Sequence, residues 1–126
     1  MKTSIAGAAR LRRAARKKYR SRAEIEPLLP KVKRAIENLY GDRLVDIILY
    51  GSFARGKATV DSDIDIAVVL KGSVQRIKEI TRIGDAIYPI GLEHEELISV
   101  YPLSEEELQN KVWPLYYYIR KEGVII

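Results

Sequence analysis

Two aspartates one residue apart, Asp63 and Asp65, open a run of aliphatic and β-branched residues, DIDIAVVL. Residues two apart in a strand project to one face, so both carboxylates can meet a single cation while Ile64 and Ile66 point into a core. Two acids held this way repel each other. Oxygen ligands at that spacing suit Mg²⁺, a hard octahedral ion commonly held by one or two carboxylates together with substrate phosphates. Upstream, the run LVDIILY ends at Gly51-Ser52, and ten residues separate Ser52 from Asp63. Gly51 lets backbone approach a phosphate without a Cβ in the way, and Ser52 offers a hydroxyl and an N–H. Arg55 and Lys57 add positive charge. Acids for a metal beside donors for phosphate are the parts that stabilise charge in phosphoryl or nucleotidyl transfer.

The elements that must position these groups follow from periodicity and punctuation. Ser21 with Glu24 makes a capping-box pattern, and Pro30 suits the first turn of a helix carrying Val32, Ala35, Ile36 and Leu39, which Gly41 ends. Leu44 to Tyr50 and the run ending at Leu70 read as strands joined by a Gly-containing polar loop. Ser73 caps a helix with Val74, Ile77, Ile80 and Ile87 near one face, ending at Pro89 and Gly91. A third strand is expected from about Glu93 to Tyr101. Ser104 with Glu107 forms a second capping box, Pro114 interrupts the helix that follows, and LYYYIRKEGVII makes a closing segment. One or two of Tyr116, Tyr117 and Tyr118 are expected in the core with Leu115 and Ile119, and Trp113 is expected to anchor the last helix. This order predicts an α/β (α+β) domain, a small mixed β-sheet with helices packed on one face.

Taken together and in order, GSFARGKATVDSDIDIAVVL resembles the signature of the DNA polymerase β superfamily of nucleotidyltransferases, in the form found in small stand-alone prokaryotic members called minimal nucleotidyltransferases. Gly51, Ser52, Ala54, Arg55, Gly56, Ser62, Asp63 and Asp65 carry the likeness. It covers about residues 30 to 126 and leaves residues 1 to 29 outside as a basic N-terminal helix or arm. The resemblance implies a polymerase β-type fold and a reaction in which a hydroxyl attacks the α-phosphorus of a nucleoside triphosphate, with ATP as the expected donor of AMP. Two Mg²⁺ ions would be held by Asp63 and Asp65, with Gly51 and Ser52 on the β- and γ-phosphates and Arg55 neutralising the triphosphate. The family also uses a third carboxylate on the third strand. Glu93, Glu95 and Glu96 are the acids there; if Ile98 and Val100 face the helices, Glu95 shares the other face and is the expected third catalytic and metal-binding acid, with Glu96 as alternate.

Substrate and partners are bounded less tightly. The chain has 126 residues, enough for one domain, and the acceptor surface is expected from a partner or a dimer mate. The resemblance implies a small helical HEPN-type protein, whose tyrosine would be adenylylated in an antitoxin role. A weak or inactive nucleotide-binding module acting as structural half of a complex is the alternative. Nucleic-acid binding through the basic N-terminus is a second alternative. Residues 1–34 hold 12 Lys or Arg against Glu24 and Glu26, a net +10, whereas the other 92 carry a net −5. The basic stretch reads as a solvated helix with an apolar stripe of Ile5, Ala8, Leu11, Ala15 and Tyr19, and no aromatic ladder interleaves its charges. No cysteine is present, which excludes disulfides, thiol nucleophiles and cysteine zinc sites, and the single histidine, His94, excludes histidine-rich metal sites and reads as a surface residue. No apolar run approaches the roughly 20 residues of a membrane helix, and no signal-peptide pattern follows the basic N-terminus, so a cytoplasmic location is expected.

Overall fold

The computed structural model describes residues 19–126. Helix α1 (Leu29–Tyr40) buries Leu29, Val32, Ile36 and Tyr40 and ends at Gly41, whose φ of 53° is the conformation for which glycine is suited. It leads through a 3₁₀ turn, Gly41–Arg43, into β1 (Leu44–Tyr50). A single helical turn, α2 (Ser52–Arg55), then starts the connection to β2 (Ile64–Leu70). Next come α3 (Arg76–His94), β3 (Ile98–Ser104), α4 (Glu105–Leu108), α5 (Pro114–Glu122) and β4 (Val124–Ile125).

The four strands form one mixed sheet in the order β3-β2-β1-β4, with β1 antiparallel to β2 and β4 and β2 parallel to β3. The parallel pair needs a crossover, which α3 supplies. One face of the sheet presents Ile47, Leu49, Ile66, Val68 and Ile98 to α1 and α3, where Ile36, Ile83 and Ile87 complete the larger core. The other face carries Ile48, Ala67, Val69 and Leu103 under Tyr116 and Ile119 of α5, a smaller core that among the described residues extends to Tyr50 and Tyr101 at the end of the face where Asp65 lies. The two long helices therefore lie on one face, as the sequence predicts. The Ser104–Glu107 capping box forms as expected, the Glu107 carboxylate accepting the Ser104 N–H at 3.0 Å and the Ser104 hydroxyl accepting the Glu107 N–H at 3.0 Å.

Several expectations need correcting, the Ser73 cap first: α3 starts at Arg76 with Gln75 as its N-cap and no side-chain cap bond, and Val74 precedes the helix. Helix α3 does not stop at Pro89 but runs on to His94, and Ile77, expected near its apolar face, is 82% exposed. The third strand begins at Ile98 instead of near Glu93. Trp113 is 63% exposed at the N-cap of α5 instead of anchoring that helix in the core, while Tyr116 alone of the three tyrosines is buried. The expected stripe of Ile5, Ala8, Leu11 and Ala15 lies outside the described residues. Its last member, Tyr19, pairs with Thr59 as an isolated antiparallel bridge, and Ile25 and Leu28 sit in the larger core.

Candidate active site

Register decides which side chains meet. Tyr50 of β1 lies opposite Asp65 of β2, and Asp65 lies beside Ser99 of β3, so the three form a row across the sheet. The next row on the same face is Ile48, Ala67 and Tyr101. Paired residues share a face, so Asp65 stands on the face of the smaller core.

Immediately after Tyr50 the chain turns at Gly51, with φ 75°. A Cβ built on Gly51 would lie 2.2 Å from Oδ2 of Asp65, so the turn and the carboxylate are already in contact and only glycine fits between them. Gly51 caps α2, whose turn closes through the Arg55 N–H to the Gly51 carbonyl at 3.1 Å. The first N–H groups of a helical turn have no acceptor within it. Phe53, buried at 2% exposure, holds the turn down on the larger core, while Ser52 on its other side is half-buried. A tight turn places Asp63: the Ser62 hydroxyl accepts the Thr59 N–H at 2.9 Å and the Ser62 N–H donates to the Thr59 carbonyl at 3.1 Å.

Electrostatics tie the two aspartates together. Burial and then the charge of Asp63 push the Asp65 carboxyl above the usual aspartate range, against a smaller opposing effect of Arg55. The pair thus carries an unfavourable concentration of negative charge, which a cation would relieve, and its all-oxygen donors suit a hard ion such as Mg²⁺. Arg55 forms a 3.5 Å ion pair with Glu122 of α5 at a largely exposed position. Burial, then Asp65 and Tyr101, push the Tyr50 phenol up to about 12, so this hydroxyl is a protonated donor at neutral pH.

The structure brings together Gly51, Ser52, Asp63 and Asp65, with Arg55 near enough to influence Asp65. Glu95 is placed differently from the strand position that parity gave it. It is the C-cap of α3, in the left-handed region with φ 56° and ψ 43°. Because α3 outlasts Pro89, the strand starts after all three glutamates, and its sequence ISVYPLS contains no acid. Parity itself holds, since Ile98 and Val100 do pack on the helix side, and the residue it puts beside Asp65 is Ser99. Among the described residues no three His, Asp or Glu side chains form a metal-holding group.

Glu96, the alternate, is engaged elsewhere. Its carboxylate accepts both terminal nitrogens of Arg20, at 2.9 and 2.5 Å, with both side chains almost fully buried. Glu93 pairs with Lys31 of α1 at 2.9 Å, and His94 lies 3.0 Å from the same amine. Three residues escape the sequence reading. Tyr50 was accessible in principle, as the strand residue directly before Gly51. Ser99 required the true start of β3, and Arg20 was hidden in a basic run.

A family model described as a nucleotidyltransferase domain matches residues 29–125. Two relatives from Methanocaldococcus jannaschii bear the name "Putative protein adenylyltransferase". One is 30% identical over 102 residues, spanning 80% of this chain and 96% of the relative; the other is 32% identical over 76 residues, spanning 60% and 76%. A crystal structure described as a "putative nucleotidyltransferase" from Sulfolobus solfataricus aligns over 98% of this chain and 87% of its own at 18% identity, with a TM-score of 0.47.

Proposed function

The chain belongs to the nucleotidyltransferase domain family and is an enzyme of that class, and from that premise we propose that it moves AMP from ATP, with Mg²⁺, onto a hydroxyl of a protein, namely a tyrosine of a small helical HEPN-type partner that it restrains as an antitoxin. The observation that carries the reading is the contact between the Gly51 turn and the Asp65 carboxylate, with Asp63 close enough to raise the Asp65 carboxyl. A phosphate chain lying on the turn would have the carboxylate pair beside it. The names of the archaeal relatives support AMP as the group transferred and protein as the acceptor.

Each residue then has a task. Asp63 and Asp65 would hold Mg²⁺, which would supply charge neutralisation at the reacting phosphate. Gly51 admits the β- and γ-phosphates close to backbone, and Ser52 donates its hydroxyl and N–H to them. Arg55 leaves Glu122 to face the triphosphate. Tyr50, kept protonated opposite Asp65, adds no further negative charge to the pair. The acceptor oxygen bonds to the α-phosphorus as the bond to the bridging oxygen breaks, pyrophosphate leaves with that electron pair, and the hydroxyl proton passes to solvent.

One observation favours a second reading, a slow enzyme or nucleotide-binding module in a complex: Ser99 stands beside Asp65 where the resemblance led us to expect an acid. Incubation of the protein and a tyrosine-bearing HEPN-type partner with ATP labelled at either the α- or the γ-phosphate tests both. The proposal predicts α-label on the partner, no γ-label, and loss of transfer by orders of magnitude in Asp63→Asn/Asp65→Asn. Stable partner binding with no α-label in wild type would favour the module.

A further inference from the structure

Arg20 lies ahead of α1 with its side chain 3% exposed, and it touches three segments that carry the candidate site. Its backbone makes the first link. The Arg20 N–H donates to the Ala58 carbonyl at 3.0 Å, beside the Tyr19–Thr59 bridge, and Thr59 belongs to the turn with Ser62 that places Asp63. The face of the guanidinium makes the second. Its Cζ lies 5.2 Å from the centroid of the Phe53 ring, and buried Phe53 is the residue that holds the α2 turn down. The edge of the guanidinium makes the third. Its terminal nitrogens donate to Glu96 at 2.9 and 2.5 Å. The next residue, Leu97, accepts at 3.0 Å the N–H of Ile64, which stands between the two aspartates.

A planar cation serves face and edge at once, whereas a lysine ammonium has neither the fork nor the flat surface. Stability alone gives no reason for a charge here, since apolar residues in place of a buried ion pair are often neutral or stabilising. What a fork and a stacked ring fix is distance and orientation. Phe53 follows Ser52 directly and Ile64 lies between Asp63 and Asp65, so Arg20 spans the two halves of the site, phosphate donors on one side and acids on the other. A metal-bound triphosphate has to reach both, and a displacement of about 1 Å can cost about 100-fold. We propose that Arg20 is a positioning residue for nucleotidyl transfer: its guanidinium holds the Gly51–Ser52 turn and the Asp63–Asp65 pair at the separation at which one metal-bound triphosphate engages both, a role that rests on reading these two elements as one site.

The test is calorimetric titration of a non-hydrolysable ATP analogue at a series of Mg²⁺ concentrations, on full-length proteins held well below their melting temperatures. Arg20→Lys keeps the charge and loses the fork and the flat face, Glu96→Gln keeps the shape and loses the charge, and a third variant combines them. Each single change should raise the Mg²⁺ concentration for half-saturation about tenfold or more. The double variant should lie within about threefold of the worse single, because both changes break one contact. Ile36→Val, a cut in the larger core at α1, separates position from stability: it should lower the melting temperature and leave the Mg²⁺ requirement unchanged. If Arg20→Lys does not fold, Glu96→Gln decides alone. A Mg²⁺ requirement within about threefold of wild type in either folded single variant, losses that add in the double, or an equal rise in Ile36→Val overturns the role. Wild-type protein that binds no analogue, or binds it regardless of Mg²⁺, removes the reading of the site and the role with it. Mg²⁺-dependent wild-type binding with unaffected variants removes only the role of Arg20.

Discussion

At the scale of single residues, the account rests on how little space surrounds Asp65. A methyl group on Gly51 would overlap the Asp65 carboxylate and would strain a φ of 75°. Gly51→Ala should therefore abolish Mg–nucleotide binding while leaving the two cores intact, as calorimetry and melting curves on the same sample would show. Asp65 also costs stability. Its carboxyl is raised in the metal-free fold, first by burial and then by Asp63, so the native state holds that proton more tightly than the unfolded chain does. The stabilisation is complete below the unfolded value and is lost as pH rises through the folded one, so the native state is penalised at pH above the ordinary aspartate range. Asp65→Asn should accordingly raise the melting temperature of metal-free protein at about pH 7, with the gain fading toward about pH 4, near the ordinary aspartate value; an equal or lower melting temperature at neutral pH would contradict this. Arg20 works in the opposite direction. Arg20→Met removes both guanidinium contacts from the buried Glu96 carboxylate and should destabilise the fold in chemical denaturation, part of the loss recovered by adding Glu96→Gln. Gly51, Asp63 and Asp65 were legible because their types and spacing are constrained by metal and phosphate chemistry. Arg20 was not, because a charge in a basic run reads as solvated and its mate lies 76 residues away.

At the scale of elements, most starts and stops were legible from caps and periodicity, and the important failure has one cause. Pro89 removes one helical donor and usually ends a helix, yet it sits exposed in α3, which continues to His94 and closes through the Glu96 N–H to the Gly91 carbonyl at 2.9 Å. Burial of Ile83 and Ile87 below the proline and of Gly91 beyond it keeps the helix on the sheet. The added turn moves the glutamates out of the strand and brings Ser99 beside Asp65. Ser99→Asp restores an acid to that row. We expect the variant to need less Mg²⁺ for half-saturation in nucleotide binding and, metal-free, to melt lower than wild type at neutral pH because a third negative charge joins the site. An unchanged Mg²⁺ requirement would mean that the row next to Asp65 does not face the metal. Strand β4 was missed because two residues carry no period, and only its pairing with Ile48 and Leu49 makes it a strand.

At the scale of the whole molecule, one sheet separates two tasks. The face under α1 and α3 holds the larger core, while the other face is covered by α5 at one end and carries Tyr50, Asp65 and Ser99 at the other. The mixed sheet and its helical layer were legible from the order of elements, since a parallel pair demands a crossover of α3's length. The larger core also takes in Ile25 and Leu28, so the segment ahead of α1 is part of the same packed unit. The central claim is that the Gly51–Ser52 turn and the Asp63–Asp65 pair act as one site for a metal-bound triphosphate. Calorimetric titration of a non-hydrolysable ATP analogue into wild type and into Asp63→Asn/Asp65→Asn, each with and without Mg²⁺, tests it most directly. The account predicts Mg²⁺-dependent binding to wild type and none to the double variant at the same concentrations, with the variant folded by its melting curve. Equal binding to both proteins, or binding to wild type that ignores Mg²⁺, would contradict it.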